Sequence, residues 1–181
     1  MFALRMVLIE PQGWKKRPVW ALFSLVLFLT ACSDVLQAKN DAKSATQAPK
    51  FTLHVYKSRT CKCCQKWVRH VEEHGFETDV TNVTLMSGVK DKYGVEPQYR
   101  SCHTALSQDG FVFEGHIPAK YIQQFLENPP EGVLGLSVPA MPIGSPGMEV
   151  DERFQPYLVL QLNVDGSVTA FAEVNSYEEQ F

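Results

Sequence analysis

The sequence predicts an α/β fold, and three observations carry that reading. Phe51–Tyr56 alternates apolar and polar residues, the period of a half-buried strand. Directly after it, Cys64, Trp67, Val68 and Val71 recur at helical spacing, with Gly75 as a stop signal. Strand and helix patterns then alternate until two final strand-like runs, Tyr157–Leu162 and Ser167–Ala172, which Asn163–Gly166 joins as a hairpin.

The N-terminal 31 residues are a targeting segment. Lys15-Lys16-Arg17 precedes an apolar run from Val19 to Leu29, a positive region and a short hydrophobic region too short for a membrane span. Leu29-Thr30-Ala31-Cys32 resembles a bacterial lipobox, which implies that Cys32 is acylated and becomes the first mature residue. The competing reading is an ordinary signal peptide with Cys32 incidental. Residue 33 is serine, not the aspartate of inner-membrane retention, so the expected location is the periplasm, lipid-anchored, with the outer membrane favoured. The stretch before Lys15 is long for a leader, which makes Met6 an alternative start. Residues 32–50 are rich in Ala, Lys, Gln and Ser without apolar period and read as a flexible tether. The folded domain is placed at 51–175.

The formal net charge is −3, but the leader carries Arg5, Lys15, Lys16 and Arg17 against Glu10. Residues 32–181 hold 13 basic and 19 acidic side chains, a poor electrostatic footprint for nucleic acid.

Along the domain, Phe76–Val83 reads as a second strand and Met86–Tyr93 as a short helix closed by Gly94. Tyr99–Ser107 enters a third strand, Gln108–Gly110 turns the chain, and Phe111–Gly115 is a fourth. Pro118 opens a helix to Leu126, with Tyr121, Ile122 and Phe125 on one face. Gly132–Glu149 is too apolar for a linker and too rich in Gly and Pro for a regular element, so it reads as a loop packed over something.

The chemistry concentrates in Thr60–Trp67, where Cys61, Cys63 and Cys64 fall within four positions at a strand-to-helix junction. A helix N-terminus offers free N–H groups and a positive dipole end, which favour thiolate over thiol, and Lys62 and Lys66 add positive charge. Cys61 and Cys64 alone make the C-x-x-C of a redox motif. Cys63 and Cys102 exceed the need of a dithiol exchange, and shared soft-metal binding accounts for them better. Thiolate and thioether donors select Cu(I), and imidazole accepts copper too, so Met141 and His103 join the candidate ligands. Zinc in a closed four-cysteine site is the metal rival, although adjacent Cys63-Cys64 fits its usual knuckle poorly. His70 and His74 read as solvated non-ligands at the end of the helix, and His116, before Ile117-Pro118, caps either the site or the helix, with the structural role favoured.

The order of elements is compatible with a thioredoxin-like sheet with flanking helices, plus the C-terminal hairpin. Four motifs then carry a resemblance: Cys61-Lys62-Cys63-Cys64-x-x-Trp67, Ser101–Ala105, Glu114–Ala119 and Met141–Glu149. Together, and in this order, they are similar to the CopG-type copper-resistance family. The resemblance implies a small periplasmic protein of thioredoxin-like fold, with copper held by the clustered cysteines and a redox role open to it. Copper ions and other periplasmic copper-handling proteins are the implied partners. The same resemblance puts the entry of the third strand, and so Cys102, opposite the cysteine helix. Ala140 departs from the family, which has glycine before Met-Pro.

Overall fold

The computed structural model describes residues 51–181. The leader, Cys32 and the tether lie outside the described residues. Among the described residues, no helix is long and apolar enough to cross a membrane.

The fold is mixed α/β, as expected. A seven-stranded sheet runs in the order β2-β1-β3-β4-β5-β6-β7. Its strands are β1 (Phe51–Lys57), β2 (Phe76–Asn82), β3 (His103–Ser107), β4 (Val112–Glu114), β5 (Val133–Ser137), β6 (Tyr157–Asn163) and β7 (Val168–Val174). The helices are α1 (Lys62–Glu73), α2 (Met86–Lys92) and α3 (Ala119–Glu127). β1 pairs in parallel with β2 and antiparallel with β3, with Lys57 opposite His103. β4 lies antiparallel to β3 and parallel to β5.

These directions bring four chain segments to one edge of the sheet: the exits of β1, β4 and β5 and the entry of β3. Loops beyond the carboxyl ends of strands are where α/β sheets build their sites. Here that edge receives the cysteine helix, Cys102, the β4–α3 turn and the β5–β6 loop.

The periodicity of α1 decides which face it buries. Cys64, Trp67, Val68 and Val71 point inward and are at most 2% exposed. Trp67, Val68 and Val71 join Leu53, Val55, Phe113, Ile122, Phe125 and Leu136 in one core. Fully burying side chains of this size stabilises the fold by about 1.5–3 kcal/mol each. The Trp67 indole N–H donates to the Ile117 carbonyl at 2.8 Å, so the core also fixes the turn before α3.

One expectation needs correction. The run from Gly132 is not irregular throughout, because it begins with β5. Gly135 hides that strand from the pattern: a Cβ there would stand 1.8 Å from the Val112 carbonyl oxygen, so only glycine lets β5 approach β4. The final hairpin forms as expected between β6 and β7, and β6 also pairs with β5, so the hairpin continues the sheet.

The packed chain runs on past residue 175. Gln180, in a short 3-10 turn, is fully buried. It accepts a hydrogen bond from Tyr157 Oη at 2.6 Å and donates to the Gly144 carbonyl at 3.0 Å, which ties the tail to the β5–β6 loop.

Candidate metal centre

Cys61 ends the segment after β1 and caps α1. Its Sγ accepts the Cys64 N–H at 3.2 Å, satisfying one of the helix's unpaired donors. The first turn of the helix carries Cys63 and Cys64 back toward it. Cys61 and Cys64 are joined as a disulfide, with Cα atoms 5.3 Å apart. Cys63 and Cys102 are free thiols. Cys63 Sγ lies 3.4 Å from Cys61 Sγ, and Cys102 Sγ lies 3.4 Å from Cys64 Sγ. The sulfurs of Cys61, Cys63, Cys64 and Cys102 all lie within 4.8 Å of one another.

Cys102 reaches this point because β3 starts beside the exit of β1. A buried network holds it there. Glu114 accepts from the Ser101 N–H at 2.6 Å, from Thr104 Oγ1 at 2.6 Å and from Lys90 Nζ at 2.5 Å. Lys90 also donates to Thr104 Oγ1 at 3.1 Å. Both members of the ion pair are at most 5% exposed.

The imidazoles sit behind the sulfurs. Cys102 Sγ is 3.4 Å from His103 Nδ1 and 3.0 Å from His116 Nε2. His116 Nδ1 donates to the Pro146 carbonyl at 2.8 Å, which fixes the tautomer and turns the Nε2 lone pair toward Cys102. His103 is fully buried against Trp67, and its Nε2 has no hydrogen-bond partner among the described residues. Cys102, His103 and His116 form a second group of donors within 4.8 Å, overlapping the first through Cys102. His116 thus lies beside the sulfurs, the alternative that the sequence left open for it next to a structural role.

The electrostatics are split. Burial, then the neighbouring Cys63, pushes Cys102 up to about 12, so it is held as a thiol, outside the helix start where the sequence favours thiolate. Burial keeps His103 well below the usual histidine range, with His116, Lys90 and Lys57 adding to the effect. Burial also lowers His116, against the opposing Pro146 bond and the charge of Glu149. Both rings are therefore neutral, the form in which imidazole donates a lone pair to a metal. Lys57, only 4% exposed at the end of β1, brings a cation close to this corner, and no pattern in the strand signals its burial.

The β5–β6 loop packs over the helix start, as its composition suggested. Gly147, at φ +88°, lies so close that a Cβ would stand 2.6 Å from the Cys63 carbonyl oxygen and 2.9 Å from the Trp67 nitrogen. Ala140 takes φ +59°, a left-handed conformation that a glycine would adopt without strain. Met141 is 47% exposed on this loop, in contrast to the buried imidazoles. His74 Nδ1 donates to the His70 carbonyl, and its ring stacks on Phe181 with centroids 5.8 Å apart. His70 is buried, not solvated, and its Nε2 accepts from the Ala119 N–H at 3.0 Å.

The donor set fits a soft metal: four sulfurs within mutual reach and two neutral imidazoles beside Cys102.

Comparison with known proteins points the same way. Residues 99–148 match a family model described as a protein of unknown function, DUF411. No curated protein matches the chain. Two solved structures are similar to it, titled copper resistance protein copG, Form 1 and Form 2. Each is 37% identical and covers 69% of this chain and 98% of its own, with TM-scores of 0.65 and 0.64. At that identity and coverage the chain belongs to the CopG family of copper resistance proteins.

Proposed function

We propose that this chain is a periplasmic copper-binding protein of copper resistance and homeostasis. It holds Cu(I) in a thiolate site built from Cys61, Cys63, Cys64 and Cys102, and close sulfurs of this kind suit bridging between more than one ion. The observation that carries the reading is the convergence of the four Sγ atoms within 4.8 Å. The names of the two solved relatives support copper over zinc. His103 and His116 stand where they can complete the site, and Met141 is the outermost candidate. Cys32 anchors the protein to the membrane through lipid.

The test is titration of the reduced chain with Cu(I) against a competing chelator. The variant with all four cysteines changed to serine should lose binding; retention of wild-type copper would put the site elsewhere. For the anchor, mass spectrometry of membrane-derived protein should find an acylated N-terminus at Cys32. A free Cys32 thiol on soluble protein would overturn it.

The disulfide between Cys61 and Cys64 favours one second reading, a thiol–disulfide oxidoreductase. That enzyme would keep its disulfide reductase activity in Cys63→Ser and Cys102→Ser. A shared copper site should lose affinity in both. If Cys102→Ser matches the wild type in copper binding while Cys61→Ser fails, the oxidoreductase reading replaces the copper site.

A further inference from the structure

We infer that Cys64 is a pivot that exchanges its disulfide partner between Cys61 and Cys102, so that the centre has two oxidised forms with different free donors. The exchange rests on the thiols alone. Its consequence for copper rests on the function proposed above.

The geometry contains each part of the step. The nucleophile is Cys102, a free thiol whose Sγ lies 3.4 Å from Cys64 Sγ. The leaving group is Cys61, whose Sγ already accepts the Cys64 N–H at the start of α1. A helix N-terminus stabilises the thiolate that departs there, and a stabilised thiolate leaves faster. His116 Nε2 faces the attacking sulfur at 3.0 Å, while Nδ1 is occupied by Pro146.

In the step, Cys102 Sγ forms a bond to Cys64 Sγ as the Cys61–Cys64 bond breaks, and that electron pair leaves on Cys61. The thiol proton of Cys102 passes to His116 Nε2 and from there through solvent to Cys61, which is only partly buried. One disulfide is consumed and one is formed, so no external oxidant or reductant is needed.

The two forms differ in what they leave free. With Cys61–Cys64 closed, the free thiols are Cys63 and Cys102, beside His103 and His116. With Cys64–Cys102 closed, Cys61 and Cys63, whose sulfurs lie 3.4 Å apart in this structure, remain as a free pair at the helix start. That pair can hold a single Cu(I) between two thiolates. Attack by Cys63 on Cys61 is the competing path, but it would expel Cys64, which is fully buried and whose Sγ faces the Cys102 carbonyl oxygen, an acceptor that does not stabilise a departing thiolate.

The sequence makes the test direct. Trypsin cuts after Arg59, Lys62, Lys66, Arg100 and Lys120, which separates Cys61, the Cys63-Cys64 pair and Cys102 into three peptides. The metal-free full chain is oxidised to one disulfide, its free thiols are alkylated, and the linked peptides are mapped by mass spectrometry with fragmentation to tell Cys63 from Cys64. In the wild type we expect Cys63–Lys66 joined through Cys64 to both Thr60–Lys62 and Ser101–Lys120. Cys61→Ser should carry only the second linkage, and Cys102→Ser only the first. The inference is overturned if Cys61→Ser forms no Cys64–Cys102 bond while Cys102→Ser forms Cys61–Cys64 normally. It is equally overturned if the linkages run through Cys63. Because no copper is present, failure of the copper reading leaves this result unchanged, and a failed exchange leaves Cu(I) binding by the reduced protein to stand by itself.

Discussion

His116 Nε2 lies 3.0 Å from Cys102 Sγ, and the Pro146 carbonyl holds the opposite nitrogen of the same ring at 2.8 Å. An imidazole gripped on one side and aimed at a thiol on the other is pre-oriented as a donor, with its tautomer fixed by the bond it makes behind. His116→Gln should therefore lower Cu(I) affinity by about 10- to 100-fold, the usual cost of losing such a group around a metal. Competition with a chelator at fixed pH measures this. Wild-type affinity in a folded His116→Gln variant would remove the ring from the centre.

The Lys90–Glu114 pair predicts a loss of stability that is not symmetric with its replacement. Removing one partner leaves a buried charge alone and costs about 3–5 kcal/mol, whereas replacing both with apolar residues restores much of it. Glu114 also holds the Ser101 N–H, so Glu114→Gln should loosen Cys102 as well as the core. Urea unfolding of the reduced, metal-free chain should show Lys90→Met well below the wild type and Lys90→Met with Glu114→Leu above that single variant. Equal midpoints for the wild type and Lys90→Met would refute the argument.

Gly147→Ala tests the loop over the helix. Its left-handed conformation alone costs an L-residue roughly 1–2 kcal/mol. The added Cβ would also meet the Cys63 carbonyl oxygen and the Trp67 nitrogen, so the loop must lift. The expected result is faster alkylation of Cys63 and Cys102 in the reduced chain. An unchanged alkylation rate would mean that the loop does not cover them.

The pH dependence of stability should carry the mark of His70. Burial first, then the neighbouring His74, lowers it from an ordinary 6.5 to about 4. The unfolded chain takes the proton near 6.5 and the folded chain resists it. The stability that neutral His70 contributes is therefore complete above about pH 6.5 and is lost as pH falls toward 4. A shift of this size amounts to at most roughly 3 kcal/mol. His70→Gln, which keeps an acceptor for the Ala119 N–H, should flatten the fall between pH 6.5 and 4 in denaturant midpoints. A variant with the wild-type slope would contradict this.

What the sequence made legible was local. The strand before Cys61 and the helix after it show in periodicity, and three thiols at their junction need no knowledge of the rest of the chain. Cys102 and His116 are different. Their meeting depends on β3 pairing with β1 and β4, with Thr104 opposite Glu114, and on a loop some 30 residues away that supplies the Pro146 carbonyl. Without the resemblance, nothing near His116 distinguishes a histidine at the centre from one that closes a turn. β5 escaped notice because Gly135, which its packing requires, reads as a breaker. Lys57 and Lys90 escaped because a lysine pattern signals solvent, and only tertiary partners make their burial tolerable.

Cys64 and Cys102 stand 38 residues apart in sequence and 3.4 Å apart at their sulfurs. Whatever joins them, a bond or a shared ion, rivets α1 to the start of β3 and closes a loop that contains all of β2 and α2. In chain-entropy terms, closing a loop of about that length removes roughly 4 kcal/mol of freedom from the unfolded state. Such a rivet would tie the fold's lifetime to the state of this seam: the joined molecule should open less often and resist proteolysis longer than the unjoined one.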